Sequence, residues 1–162
     1  MQRRSDNRIP VAVTAHVLPQ FIIGMNAGNI LLTGGTYKVG LSNAAGPISL
    51  SSSGVSTAKL WTDWTSNVAA EITGSGYTAG GATVSGVSFT AGGSNNSVAT
   101  WTGSNPSWST ATFSANQAVF YESSASTYQL ICFWDFGGSV PVTAGTFTLT
   151  ISGSGLLTAT AS

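Results

Sequence analysis

Catalysis, metal binding and redox chemistry each need a few side-chain types brought together, and this chain is poor in all of them. His16 is its single histidine, so a multi-histidine metal site is excluded. Its place beside an apolar run suits a partly buried or interfacial histidine better than a general base. Glycoside hydrolysis needs only two acids at a suitable separation, and Asp63, Glu71, Glu122 and Asp135 are the candidates, yet nothing in their spacing singles out a pair. Cys132 is the single cysteine, which rules out an internal disulfide and a cysteine-based metal site. It lies within an apolar strand pattern and reads as an inert core thiol.

Several short strings imitate catalytic motifs without their context. Ser56-Thr57-Ala58-Lys59 has the S-x-x-K spacing, but it lacks the companion motifs and the helix start that this chemistry requires. Asp135-Phe136-Gly137 spells D-F-G with no glycine-rich loop, lysine strand or catalytic loop beside it. Gly74 to Ala79 fits a relaxed G-x-G-x-x-A, but a strand pattern follows where a dinucleotide site needs a helix. Asn95-Asn96-Ser97 is a glycosylation sequon that otherwise marks a hairpin turn. No catalytic, cofactor-binding or metal-binding residue is assigned, and the chain is expected not to be an enzyme.

The elements that would hold any site are strands. Hydrophobic residues make up 42 % of the 162 residues, enough for a real core. Charged residues make up 6 %, against about 25 % in an average domain. Small hydroxyl and β-branched residues replace them, which favours pleated sheets and removes the best helix formers. So few charges also weaken the usual self-repulsion and favour association. Arg3, Arg4 and Arg8 against Asp6 leave the first eight residues at +2 and the remainder at −2. The body has no basic stripe for nucleic acid, and no stretch has the roughly 18 apolar residues of a membrane span. Asp6, Pro10 and His16 interrupt what would otherwise resemble a signal peptide.

Residues 1–15 read as an extended basic arm, with Pro10 holding its predecessor extended, followed by one domain over 16–162. Leu18, Phe21, Ile22 and Met25 follow helical spacing, which predicts a short helix over about 17–26 with Gly28 to end it. Thereafter the punctuation is of strands: 36–42, 68–73, 82–90, 97–102, 107–114, 117–122, 128–136, 146–152 and 156–160. Short strands at this spacing with Gly/Ser/Asn turns predict an all-β, β-sandwich or jelly-roll-like domain. Trp134 alternates inward as core, whereas Trp101 and Trp108 flank the 103–106 turn and are the tryptophans expected to be exposed for contact.

The order of these segments resembles small structural proteins of tailed bacteriophages. Such proteins are similar in a short amphipathic helix leading into a Thr36-Tyr37-Lys38-Val39-Gly40-Leu41 strand, then Trp61-Thr62-Asp63, then Gly74 to Gly86 (GSGYTAGGATVSG). Trp108, Ala118-Val119-Phe120-Tyr121, Asp135 to Gly137 and Gly145 to Leu149 continue the series, so the resemblance covers roughly residues 16–160. It implies a head decoration, cement or head-fibre protein with no catalytic residues. The arm and the Ser-rich loop from Ser42 to Thr57 depart from that pattern. The chain is therefore expected to be a virion protein on the capsid surface, a homotrimer across a junction of major capsid protein subunits, with Arg3, Arg4, Arg8, Trp101 and Trp108 as contact candidates. It is expected to need no cofactor, nucleic acid or membrane. The alternatives are a tail-tip or fibre adhesin, a carbohydrate-binding β-sandwich module, and a small glycosidase on the four acids.

Overall fold

The computed structural model describes residues 13–30, 32–92, 98–124, 129–153 and 155–160. Its frame is one long antiparallel pair, β7 (Ser107–Glu122) with β8 (Gln129–Thr148). On the β8 side lies β1 (Thr14–Val17). On the β7 side lies β2 (Tyr37–Asn43). The far edge of β2 is shared by β3 (Ala70–Glu71) and β4 (Ala82–Val84). A second sheet has the order β5 (Ser88–Gly92), β6 (Val98–Thr102), β9 (Leu157–Thr160). The architecture is all-β, as the patterning predicts, with two short helices.

The two sheets are stitched together where β4 runs into β5. Ser104 N–H donates to Ser85 O at 2.8 Å, and Ser85 N–H donates to Ser104 Oγ at 3.0 Å. The expected single strand over 82–90 is thus two strands that change partner, from β2 to β6, at 85–87.

Residues opposite one another across a sheet share a face, so the registers sort the core into two layers. Tyr37, Val39, Leu41, Phe120 and Cys132 face inward toward the second sheet, where Tyr37 meets Trp101 edge-on at 5.3 Å. Gly40, Ser42, Val119, Tyr121 and Phe133 face the other way, under the segment 44–58 and a helix. Most of 117–122 and 130–133 is therefore buried on both faces. That explains runs that are apolar without alternating.

The helix α1 (Pro19–Asn26) forms where its spacing predicts, with proline at its first position. The second helix, α2 (Trp61–Asn67), forms over an aromatic segment to which the patterning assigns neither helix nor strand. Its Thr/Trp/Asn composition is a poor helix former. The turn holds because the Asp63 carboxylate accepts Lys59 and Leu60 N–H, both at 3.0 Å, and because Trp61 and Trp64 are buried against the sheet. Trp61 stacks on Tyr121 (5.4 Å, 4°) directly over Gly40, where a Cβ would lie 2.5 Å from the indole.

Other boundaries moved for one reason. The strands expected over 107–114 and 117–122 are the single β7, and those over 128–136 and 146–152 merge into β8 up to Thr148. Register shifts between Trp108 and Phe113, between Ala115 and Gln117, and between Phe120 and Tyr121 absorb the irregular residues as bulges. Thr14 and Ala15, expected at the end of the arm, belong to the edge strand β1.

The loop 74–81 is seated on β2 at its tightest point. Gly81 has φ +73, and a Cβ there would lie 1.9 Å from Val39 O. Both the left-handed backbone and the backbone clash forbid a side chain. Gly81→Ala should lower stability by at least about 2 kcal/mol, read as a lower urea midpoint with an unchanged m-value.

Candidate functional site

The four acids weighed for catalysis are occupied as structural acceptors. Asp135 is buried; its Oδ1 accepts Gly137 N–H at 2.7 Å, and its Oδ2 accepts Ile48 N–H. The D-F-G string thus lies within β8, where Asp135 holds the Ser-rich segment onto the sheet, with Asn116 Nδ2 donating to Ala44 O at 3.3 Å beside it. Glu122 accepts Ser124 N–H at 2.8 Å, and Asp63 caps α2. Glu71 accepts the Tyr77 hydroxyl at 2.8 Å and Gly80 N–H at 2.6 Å. Asp135 lies opposite Gln117, five residues along β7 from Glu122, so those two acids are roughly 17 Å apart along the sheet. Glu71 and Asp135 lie three strands apart in one row, about 14 Å. Glycosidase pairs sit closer, at about 5 to 9.5 Å. Among the described residues, no three His, Cys, Asp or Glu side chains cluster as metal ligands.

His16 is half-buried and stacks on Phe133 at 4.7 Å. Cys132 is buried, and burial pushes its thiol far above the ordinary range, as suits an inert core residue. Trp101 and Trp108, expected to be exposed, are buried at 0 % and 5 % exposure. The Trp101 indole donates to Leu32 O at 2.8 Å from inside the inter-sheet core. Trp108 packs in an aromatic cluster with Phe113, Phe147 and Tyr77. Ser104 and Asn105 of the turn between them are exposed, but both rings follow the inward face of their strands, so neither forms a stacking platform. Arg3, Arg4 and Arg8 lie outside the described residues.

What the fold does bring together is apolar. β1 ends the first sheet and β9 ends the second among the described residues, and the gap between them is a seam. A cavity of about 440 Å³ opens there, lined by Ala15 and Val17 of β1, Ile22 and Met25 of α1, Phe89 of β5 and Leu157 of β9. It continues past Ala15 and Leu156 into a second cavity of about 310 Å³ toward Val13, Trp134 and Gly155. Large apolar residues of its lining stand exposed, Ile22 at 55 % and Phe89 at 46 %, and on the same helix Ile23 is exposed at 59 %. The helix-face spacing of α1 signalled its inner residues, Leu18 and Phe21. It gave no sign that Ile22 would be left outside, because that depends on where the second sheet ends.

No protein family, curated protein or solved structure matches the chain. No helix among the described residues is long and apolar enough to cross a membrane.

The Tyr77 hydroxyl ties three segments together, accepting Leu41 N–H at 3.0 Å while donating to Glu71. Burial first, then the Glu71 carboxylate, raises its pKa well above the usual tyrosine value, against the Leu41 bond, which lowers it. Above about pH 10 the unfolded chain releases this proton while the folded one keeps it, so stability falls as pH rises through that range. Tyr77→Phe should cost about 1–3 kcal/mol at pH 7, because it leaves Leu41 N–H unmet. It should also flatten the decline in urea midpoint between pH 9 and 11.

Proposed function

We propose that this chain is a non-enzymatic virion structural protein that decorates and stabilises a phage capsid by binding major capsid protein subunits. The observation that carries the reading is the exposed apolar surface of Ile22, Ile23 and Phe89, set on a molecule with 6 % charged residues. Exposed apolar patches of this kind mark protein–protein contact. The resemblance of its order of segments to that of tailed-phage structural proteins is in keeping with the same reading. The chain would act as a homotrimer across a junction of capsid subunits, and several weak contacts made at once would raise the effective concentration of each. Arg3, Arg4 and Arg8 are the charges that would meet acidic capsid groups. An adhesin or sugar-binding role drew on exposed Trp101 and Trp108, and their burial removes that support.

The test is to mix the purified protein with undecorated capsids, sediment them and count copies per particle. Near-stoichiometric binding that raises the capsid's melting temperature is expected. An Ile22→Ser/Ile23→Ser variant, altered at exposed positions, should fold normally and bind at least about tenfold more weakly. Absence of binding by the unaltered protein would reject the capsid role.

A further inference from the structure

Helix α1 separates two unlike surfaces. Successive residues of a helix point about 100° apart, so Ile22 and Ile23 belong to different sides. Ile22 lines the apolar cavity that also holds Phe89. Ile23 lines a smaller notch of about 140 Å³, together with Gln20 and Gly24 of the helix and with Asn29, Lys59 and Gln129. Gly24 fits closely there. A Cβ would lie 2.8 Å from Ile30 Cδ1 and 3.1 Å from Gln129 Oε1, so a side chain would press on both. Three amides and one ammonium thus line the notch, and no carboxylate of the described residues does.

The charges around it point to an anion. Lys38 and Lys59 carry the positive charge of the described residues, and Lys38 stands on β2 opposite Thr83 and Tyr121. Asp63, the acid nearest to Lys59 in sequence, commits its Oδ2 to the Lys59 and Leu60 backbone N–H groups. The hydrogen bonds of Glu71, Glu122 and Asp135 go to backbone N–H groups and to the Tyr77 hydroxyl, not to the Lys59 ammonium. Lys59 is exposed, and its charge is left for a partner. Size narrows the choice of partner. Small-molecule pockets run from about 300 Å³ upward, and a notch of about 140 Å³ admits one side chain instead.

We propose that this notch receives an acidic side chain of the major capsid protein, its carboxylate paired with Lys59 and hydrogen-bonded by the amides beside it. Apolar atoms of the same capsid segment lie on Ile22 and Ile23. The inference rests on the capsid-binding reading and adds the partner's chemistry to it: an Asp or Glu next to an apolar residue. Phe89 stays open for its own contact. A charge pair set beside an apolar contact fixes the register of docking and steers the encounter.

The experiment measures sedimentation with undecorated capsids for the unaltered chain, Lys59→Gln and Lys59→Arg, at low and at high salt. The Lys59 side chain is exposed, so both variants should keep the circular dichroism and urea midpoint of the unaltered chain. Lys59→Gln should bind at least about fivefold more weakly at low salt and respond less to added salt. Lys59→Arg, which keeps the charge, should recover most of the binding. In the complex, a carbodiimide should couple Lys59 Nζ to a capsid Asp or Glu as an amide, identified by mass spectrometry of the linked peptides. Undiminished binding by Lys59→Gln, an unchanged response to salt, or a capsid link through Lys38 and none through Lys59 would each overturn this inference and leave the capsid role standing. Absence of binding by the unaltered chain would overturn both.

Discussion

Strands of sixteen and twenty residues are long beside the usual five or six, and β7 and β8 reach that length only because each lies within one hydrogen-bonded ladder with the other. Pairing of this length satisfies the backbone of nearly a quarter of the chain at once, and both outer edges of the pair then serve as templates, one for β1 and one for β2. The covering elements depend on it in turn. α2 lies on Phe133 and Tyr121, α1 is tied on by Leu18 N–H to Ile131 O at 3.2 Å, and the loop 74–81 docks where β7 bulges. If that register slipped by a single residue, every one of these contacts would turn to the wrong face.

The scarcity of charge has a structural counterpart. The acids Glu71, Glu122 and Asp135, and Asp63 at its helix end, each accept backbone N–H groups, so these carboxylates work as fasteners for irregular chain. A carboxylate that takes two such bonds holds a loop more firmly than a neutral acceptor. This is how a Ser-rich segment with little secondary structure stays against the sheet. The cost of concentrating the acids inside is an outer surface whose contacts rest on apolar and hydroxyl groups. That favours association with other protein surfaces over recognition of charged ligands.

The open seam follows from the same economy of strands. β1 ends the first sheet and β9 the second, and no element among the described residues bridges them. Exposed sheet edges invite pairing with another chain. The proposed capsid reading draws on the apolar surface beside this gap.

How much of this was legible beforehand depended on the range of the interaction. The scarcity of Glu, Lys and Arg, the alternation in Thr146 to Ile151 and the spacing of Leu18, Phe21 and Met25 are local signals, and they were enough for an all-β fold with one early helix. Trp61, Trp64 and Val68 at helical spacing, with Asp63 in the first turn, were also a local signal for α2, but a faint one among threonines. The merging of strands across bulges, the split at 85–87 and the burial of Trp101 and Trp108 were not legible. Each is decided by which strand comes to lie opposite, a contact between residues distant in sequence. The seam belongs to the same class: composition alone shows a chain poor in charge, while the order of strands, which exists only once the sheets are assembled, decides where the opening lies.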